Sequence, residues 1–168
     1  MNSIGKELLA QITKRENDIS YKQDSILRNR IHLMAPVGWL NDPNGLCQMG
    51  DTYHIFFQYA PMSAQGSGPK GWGHYITKNW CHFEYLGMPL MPDEAFDKDG
   101  VYSGSGLADK DGMHIFYTGN VKLPGNHDYT TSGRMADTVL VESKDGIHFG
   151  DKQVVLKTSD YPAGLSCH

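Results

Sequence analysis

The sequence predicts an all-β protein with a helical segment at its N-terminus, and three observations carry this prediction. From residue 31 onward, short runs rich in β-branched and aromatic residues alternate with turn signals. A stretch of roughly 60 residues recurs within this part of the chain. Residues 5–30, in contrast, contain no proline and one glycine, and their apolar residues lie at helical spacing.

Residues 1–30 are predicted to form a helical extension. Charged residues separate the apolar positions of this segment, which is the pattern of one or two amphipathic helices. The apolar positions are Leu8, Leu9, Ile12, Ile19, Ile26 and Leu27. We expect the extension to pack against the main domain, and the alternative is a helix that binds a partner.

Residues 31–168 are predicted to form a series of antiparallel hairpins. The clearest strand-like runs lie at 52–60, 113–119 and 137–143. Turn signals stand between such runs, at 44–45, 49–51, 99–100, 111–112 and 145–146. Most of these are Asn-Gly or Asp-Gly, which favour two-residue hairpin turns because both central positions need a positive φ.

An internal repeat points to β-propeller blades. Gly45-Leu46 matches Gly106-Leu107, and His54-Ile55-Phe56 matches His114-Ile115-Phe116. A repeat of about 60–65 residues with about four strands is typical of a propeller blade, and a ring needs at least about four blades to close. We therefore expect residues 31–168 to form a partial β-propeller of about two blades. A simple repetition of hairpins is the alternative.

Composition excludes several classes of function. The net charge is −4, and it divides into +2 for residues 1–30 and −6 for the rest, which argues against a nucleic-acid groove. No apolar run is long enough to cross a membrane, and the first residues lack the apolar core of a signal peptide. The cysteines, Cys47, Cys81 and Cys167, are sparse and odd in number, which predicts reduced thiols in a cytoplasmic protein. No zinc-type motif occurs, so we expect no metal.

The segment 38–45, GWLNDPNG, is the candidate site. Pro43 disfavours helical backbone at Asp42 and holds this carboxylate on an extended chain. Asn44-Gly45 is expected to form a tight turn directly after it. Because the first strand of each propeller blade lines the central channel, Asp42 would face a polar axial pocket. An aspartate that only caps a turn before proline is the alternative.

Several motifs resemble those of glycoside hydrolase family 32, the invertases and related β-fructofuranosidases. WLNDPNG (39–45) resembles the family signature, and YHIFFQ (53–58), WGH (72–74), YSGSG (102–106) and YTG (117–119) resemble further motifs in the family's order. The similarity covers about residues 28–168. The stretch 30–46 is most similar to bacterial intracellular sucrose and sucrose-6-phosphate hydrolases of the family.

The resemblance implies a five-bladed propeller and a retaining mechanism, in which one carboxylate attacks the anomeric carbon and a second protonates the leaving group. Asp42 matches the nucleophile. The positions that match fructose-binding residues are Asn41, Gln58, Trp72, Tyr102 and Ser103, with Trp39 near the leaving-group side. The expected ligand is a small sugar: sucrose, its 6-phosphate or a fructan. No cofactor, metal, nucleic acid or membrane is implied, and the oligomeric state stays open.

Two further motifs of the family do not occur in the 168 residues. They are an Arg-Asp-Pro motif, whose aspartate stabilises the transition state, and a Glu-Cys motif, whose glutamate is the acid/base. The final run, GLSCH, resembles the one just ahead of Arg-Asp-Pro. We therefore expect an N-terminal portion that is inactive alone, because leaving-group protonation contributes about 10²–10⁴ in rate. The alternatives are a non-catalytic carbohydrate-binding or scaffolding propeller and a related five-bladed glycosidase such as an arabinosidase.

Overall fold

The computed structural model describes residues 2–18, 20, 28–29 and 31–162. The described part contains one α-helix, α1 (Ser3–Asn17), eight strands and a short 3₁₀ helix (Thr158–Asp160). Helix α1 covers the first half of the predicted helical segment, whereas the predicted apolar positions 19, 26 and 27 lie outside the described residues. The boundary between the extension and the propeller at residue 30 stays a prediction.

The strands form two separate four-stranded antiparallel sheets, each in simple sequence order. The first sheet consists of β1 (Trp39–Met49), β2 (Thr52–Ala60), β3 (Gly71–Thr77) and β4 (Glu84–Leu90). The second consists of β5 (Val101–Asp109), β6 (Gly112–Lys122), β7 (Arg134–Ser143) and β8 (Gln153–Leu156). The predicted strand runs are confirmed as β2, β6 and β7, and each repeat is a four-stranded unit as the sequence predicts.

The matched positions of the internal repeat occupy equivalent strands. Gly45 lies in β1 and Gly106 in β5, the first strands of the two sheets. His54 and His114 lie in the second strands, β2 and β6. The repeat is therefore structural, and its two copies are four-stranded sheets of the kind found in β-propellers.

The turn predicted at 44–45 is wrong. Asn44 and Gly45 lie inside β1, and the hairpin to β2 turns at residues 50–51 instead. The pairing of β1 with β2 shifts between Leu40 and Pro43 and again after Asn44, and each shift adds one residue to β1. The positive φ of Gly45, 52°, serves the second of these bulges rather than a hairpin turn.

Two apolar clusters hold the first sheet between its neighbours. Strand β2 supplies both, because successive side chains of a strand point to opposite faces. Phe56 packs toward the second sheet, in a cluster with Trp72, Leu90, Val101, Met113, Ile115, Tyr117, Val139 and Val141. Phe57 and Tyr59 face the other way, in a cluster with Ile12, Ala35, Val37, Met88 and Met91. The first sheet is thus covered on one face by the second sheet and on the other by α1.

Helix α1 is attached to the first sheet by polar contacts as well as by apolar ones. The hydroxyl groups of Tyr59 and Tyr85 donate to the Glu16 carboxylate at 3.0 and 2.6 Å. Ile12 is buried in the second apolar cluster, against which Leu8 and Leu9 also pack. The expected packing of this helix on the main domain is confirmed. No helix in the described ranges combines the length and hydrophobicity that a membrane span requires.

A buried ionic cluster connects the segment between β4 and β5 to the residue that precedes β8. The Lys152 ammonium contacts the carboxylates of Asp93 and Asp97 at 2.5 and 2.6 Å. The Tyr117 hydroxyl donates to the same Asp97 carboxylate at 2.7 Å. Because Asp97 is fully buried, the removal of Lys152 would leave an uncompensated charge, which typically costs about 3–5 kcal/mol.

Two buried histidines of the first sheet are held in the neutral form. His54 Nδ1 and His74 Nε2 lie 3.0 Å apart, and the His74 ring stacks on Phe56 with centroids 4.0 Å apart. Burial lowers the pKa of both histidines. For His74, burial together with the neighbouring His54 lowers the pKa to about 3.

We expect the chain to lose thermal stability as the pH falls from about 7 to about 5. In this range the unfolded chain binds protons at histidines with a pKa near 6.5, whereas folded His74 stays neutral, so stability rises with pH. His74 alone should account for about 2 kcal/mol over this interval. Melting temperatures measured across the range would test this, with His74→Gln flattening the profile and exposed His32→Gln as control. An unchanged melting temperature between pH 7 and 5 would contradict the expectation.

Candidate functional site

The residues predicted to form the site lie at one end of the two sheets. The start of β1, the end of β2 and the start of β3 meet there because these strands are antiparallel neighbours. The first residues of β5 join them from the second sheet. Grouped by strand, the predicted residues are Trp39, Asn41 and Asp42 on β1, Gln58 on β2, Trp72 on β3, and Tyr102 and Ser103 on β5.

A hydrogen bond between Asp42 and Ser103 connects the first strands of the two sheets. The Ser103 hydroxyl donates to Asp42 Oδ2 at 2.8 Å, although the two residues are 61 positions apart. Both Asp42 and its neighbour Asn41 are exposed. The carboxylate is therefore oriented by the Ser103 hydroxyl and is accessible to a ligand.

Asn44 supports this arrangement from inside and was not foreseen as a site residue. Its side chain is buried, accepts the Gly104 N–H at 3.3 Å and donates to the main-chain carbonyl of Asp42 at 3.3 Å. It therefore ties the backbone of Asp42 to β5. The Asn-Gly pair marks this position in the sequence, but such a pair favours a turn. That the Asn44 side chain lies between β1 and β5 follows only from the pairing of the strands.

A close approach of two glycines brings β1 and β5 together. A Cβ atom on Gly106 would lie 2.7 Å from the carbonyl oxygen of Gly45. A Cβ atom on Gly45 would lie 2.9 Å from the rings of Phe56 and Trp72. Since contacts this short do not occur for real side chains, the absence of both Cβ atoms sets the spacing of the two strands.

Gln58 and Trp72 are buried and bond to main-chain atoms. The Gln58 amide donates to the carbonyl of Val101 at 2.8 Å, and the Trp72 indole N–H donates to the carbonyl of Tyr102 at 3.2 Å. Trp72 has no exposed surface. Its indole therefore presents no ring face to a ligand in this structure. Both side chains instead fix the start of β5.

A cavity of about 630 Å³ opens beside Tyr102. One wall is the glycine-rich segment 66–70, which forms part of the loop between β2 and β3. Another wall is helix α1, which contributes Glu7 and Gln11. Of the predicted site residues, Tyr102 lines this cavity, and the lining includes neither Asp42 nor Ser103. The participation of α1 in this wall was not predicted.

Two aromatic residues of the predicted site each have a cationic side chain positioned over the ring. The Lys70 ammonium lies 5.1 Å from the Trp39 ring, and the Arg134 guanidinium lies 5.2 Å from the Tyr102 ring. Burial, together with the positive charges of Lys122 and Arg134, lowers the pKa of Lys70. These basic residues were not foreseen, because in the sequence they stand far apart and outside any motif. Within the described ranges, no group of three or more potential ligands is arranged to hold a metal ion.

Comparison with known proteins gives consistent matches over the strand-rich region. The sequence model of the "Glycosyl hydrolases family 32 N-terminal domain" matches residues 32–164. Over 142 residues the chain is 40% identical to the sucrose-6-phosphate hydrolase of Bacillus subtilis, an alignment that covers 84% of this chain and 27% of that protein.

Solved structures with a similar fold include a GH32 β-fructofuranosidase of Bombyx mori (TM-score 0.73, 27% identity, 88% of this chain and 30% of that one). A mutant of that protein in complex with sucrose also matches (TM-score 0.69, 28% identity, 91% and 30%). The sucrose-6-phosphate hydrolase of Lactobacillus gasseri matches with a TM-score of 0.64 and 28% identity, over 87% of this chain and 27% of that one. The chain thus spans less than a third of the length of each of these relatives.

The glycine contact between β1 and β5 leads to a stability prediction. We expect Gly106→Ala to destabilise the chain by about 1–3 kcal/mol, because the new methyl group would overlap the Gly45 carbonyl. Gly150→Ala is the matched control, since its methyl group would meet the Glu142 carbonyl oxygen at an ordinary 3.5 Å. Urea unfolding of both variants measures the difference. Equal losses for the two substitutions would show that the two strands tolerate a wider spacing.

Proposed function

This chain belongs to glycosyl hydrolase family 32, and we propose that it forms the N-terminal portion of a retaining β-fructofuranosidase that hydrolyses the fructosyl bond of sucrose or sucrose 6-phosphate. The observation that carries the proposal is the exposed carboxylate of Asp42, which accepts a hydrogen bond from Ser103 where β1 and β5 begin. The names of the relatives support the substrate class.

Asp42 is the nucleophile in this proposal. One carboxylate oxygen attacks the anomeric carbon of the fructosyl unit, the bond to the leaving-group oxygen breaks, and a covalent glycosyl-enzyme forms. Water then attacks the same carbon and releases fructose with retained configuration. Ser103 donates to Oδ2 and so fixes the rotamer of the carboxylate, which aligns the attacking oxygen.

The remaining residues divide into ligand contacts and supports. Asn41, Ser103 and Tyr102 provide amide and hydroxyl groups for the sugar, and Trp39 lies on the leaving-group side. Gln58 and Trp72 act as positioning residues, because their polar atoms bond to the carbonyls of Val101 and Tyr102. This division keeps the expected set of site residues but assigns Gln58 and Trp72 to positioning rather than to direct contact with the sugar.

The proposal places the acid/base glutamate and the stabilising aspartate in other parts of the protein, together with the blades that complete a five-bladed ring. The 168 residues contain neither Arg-Asp-Pro nor Glu-Cys. This chain covers 27–30% of the length of the relatives, which is compatible with this arrangement.

A non-catalytic carbohydrate-binding propeller is the second candidate, since an exposed carboxylate held by a serine hydroxyl would also suit a site that only binds a sugar. Such a protein would bind sucrose without turning it over, whereas the proposed enzyme hydrolyses it.

We also propose a cytoplasmic location. Cys47 and Cys81 are free thiols in the structure, which suits a reducing compartment.

The nucleophile assignment is tested in the full-length protein by Asp42→Asn. We expect sucrose turnover to fall at least about a thousandfold, because the amide cannot form the glycosyl-enzyme. Asp51→Asn serves as control, since Asp51 lies on the β1–β2 turn and pairs with Lys78 at the surface. Turnover by Asp42→Asn at the wild-type rate would refute the assignment, and sucrose binding without turnover by the wild-type protein would favour the second candidate.

The purified 168-residue chain is expected to show no sucrose hydrolysis above background. It lacks both the acid/base and the stabilising motif, so neither protonation of the leaving group nor the second carboxylate is available. Fructose release would be measured after circular dichroism has shown that the chain is folded. Measurable turnover would mean that another carboxylate of these residues acts as the acid.

A further inference from the structure

Three basic side chains converge on the cavity beside Tyr102. Lys70 precedes β3, Lys122 ends β6 and Arg134 begins β7, so they come from both sheets. Lys70 and Lys122 line the cavity, and Arg134 lies over the ring of Tyr102, which also lines it. In the part of the chain that the structure describes, none of the three forms a salt bridge.

Aromatic rings, rather than carboxylates, hold these cations in place. The pairs, each 5.1–5.2 Å from charge to ring centroid, are Lys70 with Trp39, Lys122 with Tyr129 and Arg134 with Tyr102. A cation–π contact orients a charge but does not neutralise it. Among the described residues, the buried Arg134 Nε atom moreover has no hydrogen-bond partner. The cluster therefore retains hydrogen-bond donors and positive charge that are available to an anion.

The three positive charges also repel one another. The pKa of Lys70 is lowered first by burial and then by the charges of Lys122 and Arg134, which shows that they lie within electrostatic reach. The nearby carboxylates are engaged with the main chain. Asp99 accepts the backbone N–H of Lys122 at 2.8 Å, and Asp128 accepts that of Thr130 at 3.0 Å.

The cavity is also lined by one further cation, Lys98, and by the carboxylates of Glu7 and Asp99. Together with Lys70, Lys122 and Arg134, the cations therefore outnumber these carboxylates four to two. An anion bound among the three cations would relieve their repulsion, whereas a neutral ligand would leave it in place.

We infer that Lys70, Lys122 and Arg134 form a phosphate-recognition subsite through which the enzyme prefers a phosphorylated disaccharide to sucrose. The inference rests on the proposed function, which leaves both substrates open. A phosphate monoester carries nearly two negative charges at pH 7 and three strong acceptor oxygens. A guanidinium fork and two ammonium groups complement such a group. Lys70 lies over Trp39 and Arg134 over Tyr102, two residues of the proposed site, so the phosphate would be part of the same ligand that Asp42 attacks.

The test compares kcat/KM for sucrose 6-phosphate and for sucrose in the full-length protein. We expect Lys122→Gln and Arg134→Gln each to lower the value for the phosphorylated substrate by about ten- to a hundredfold, with a much smaller effect on sucrose. Lys110→Gln is the matched control, because Lys110 pairs with Asp111 on the β5–β6 turn. Lys122→Arg should retain the preference because it retains the charge. A parallel loss for both substrates, or no loss, would overturn the inference.

A binding experiment separates this inference from the proposed function. If the wild-type protein hydrolyses neither sugar, the proposed function fails, and calorimetric titration with sucrose 6-phosphate still tests the subsite. If the subsite exists, sucrose 6-phosphate should bind more weakly to Lys122→Gln and Arg134→Gln than to Lys110→Gln. This difference in affinity should become smaller at high salt. Titration with inorganic phosphate separates two sources of the anion. If phosphate ions bind the cluster while the phosphorylated sugar gains nothing over sucrose, a substrate subsite is excluded.

Discussion

The contact between Gly45 and Gly106 is the constraint on which the candidate site depends. It allows the backbones of β1 and β5 to approach more closely than any residue with a Cβ atom would permit. Every polar bond described between the two strands follows from that approach, including the one that joins Ser103 to Asp42. The site is therefore a property of the interface between the two sheets, and neither sheet contains it alone.

The same two glycines are the positions at which the internal repeat was first visible. Each repeat unit places its glycine in the first strand, so the feature that predicts two blades also explains how the blades pack. The sequence alone reveals the repeat because equivalent positions of the two sheets carry the same residue types. They could not show that Gly45 serves a bulge, because a positive φ suits a bulge and a hairpin equally, and the choice depends on pairing with β2.

Other features of the site could not be predicted from the sequence, because they depend on tertiary packing. The resemblance places Trp72 among sugar-binding positions, but only the packing of the second sheet on β3 shows that its ring is enclosed. Two sheets and a loop bring together Lys70, Lys122 and Arg134. Local sequence patterns cannot predict this proximity, because the three residues are far apart along the chain. Helix α1 was predicted from its apolar face, whereas its contribution to the cavity wall depends on how Glu16 attaches it to Tyr59 and Tyr85.

The ionic cluster of Lys152 with Asp93 and Asp97 has a consequence for how the chain folds. Asp93 and Asp97 follow the last strand of the first sheet, and Lys152 precedes the last strand of the second. In many repeat proteins each unit forms by itself and stability grows by addition of neighbours. Here a first unit formed alone would leave its buried carboxylates without a counter-ion. We therefore expect the two repeats to fold together as one cooperative unit rather than independently.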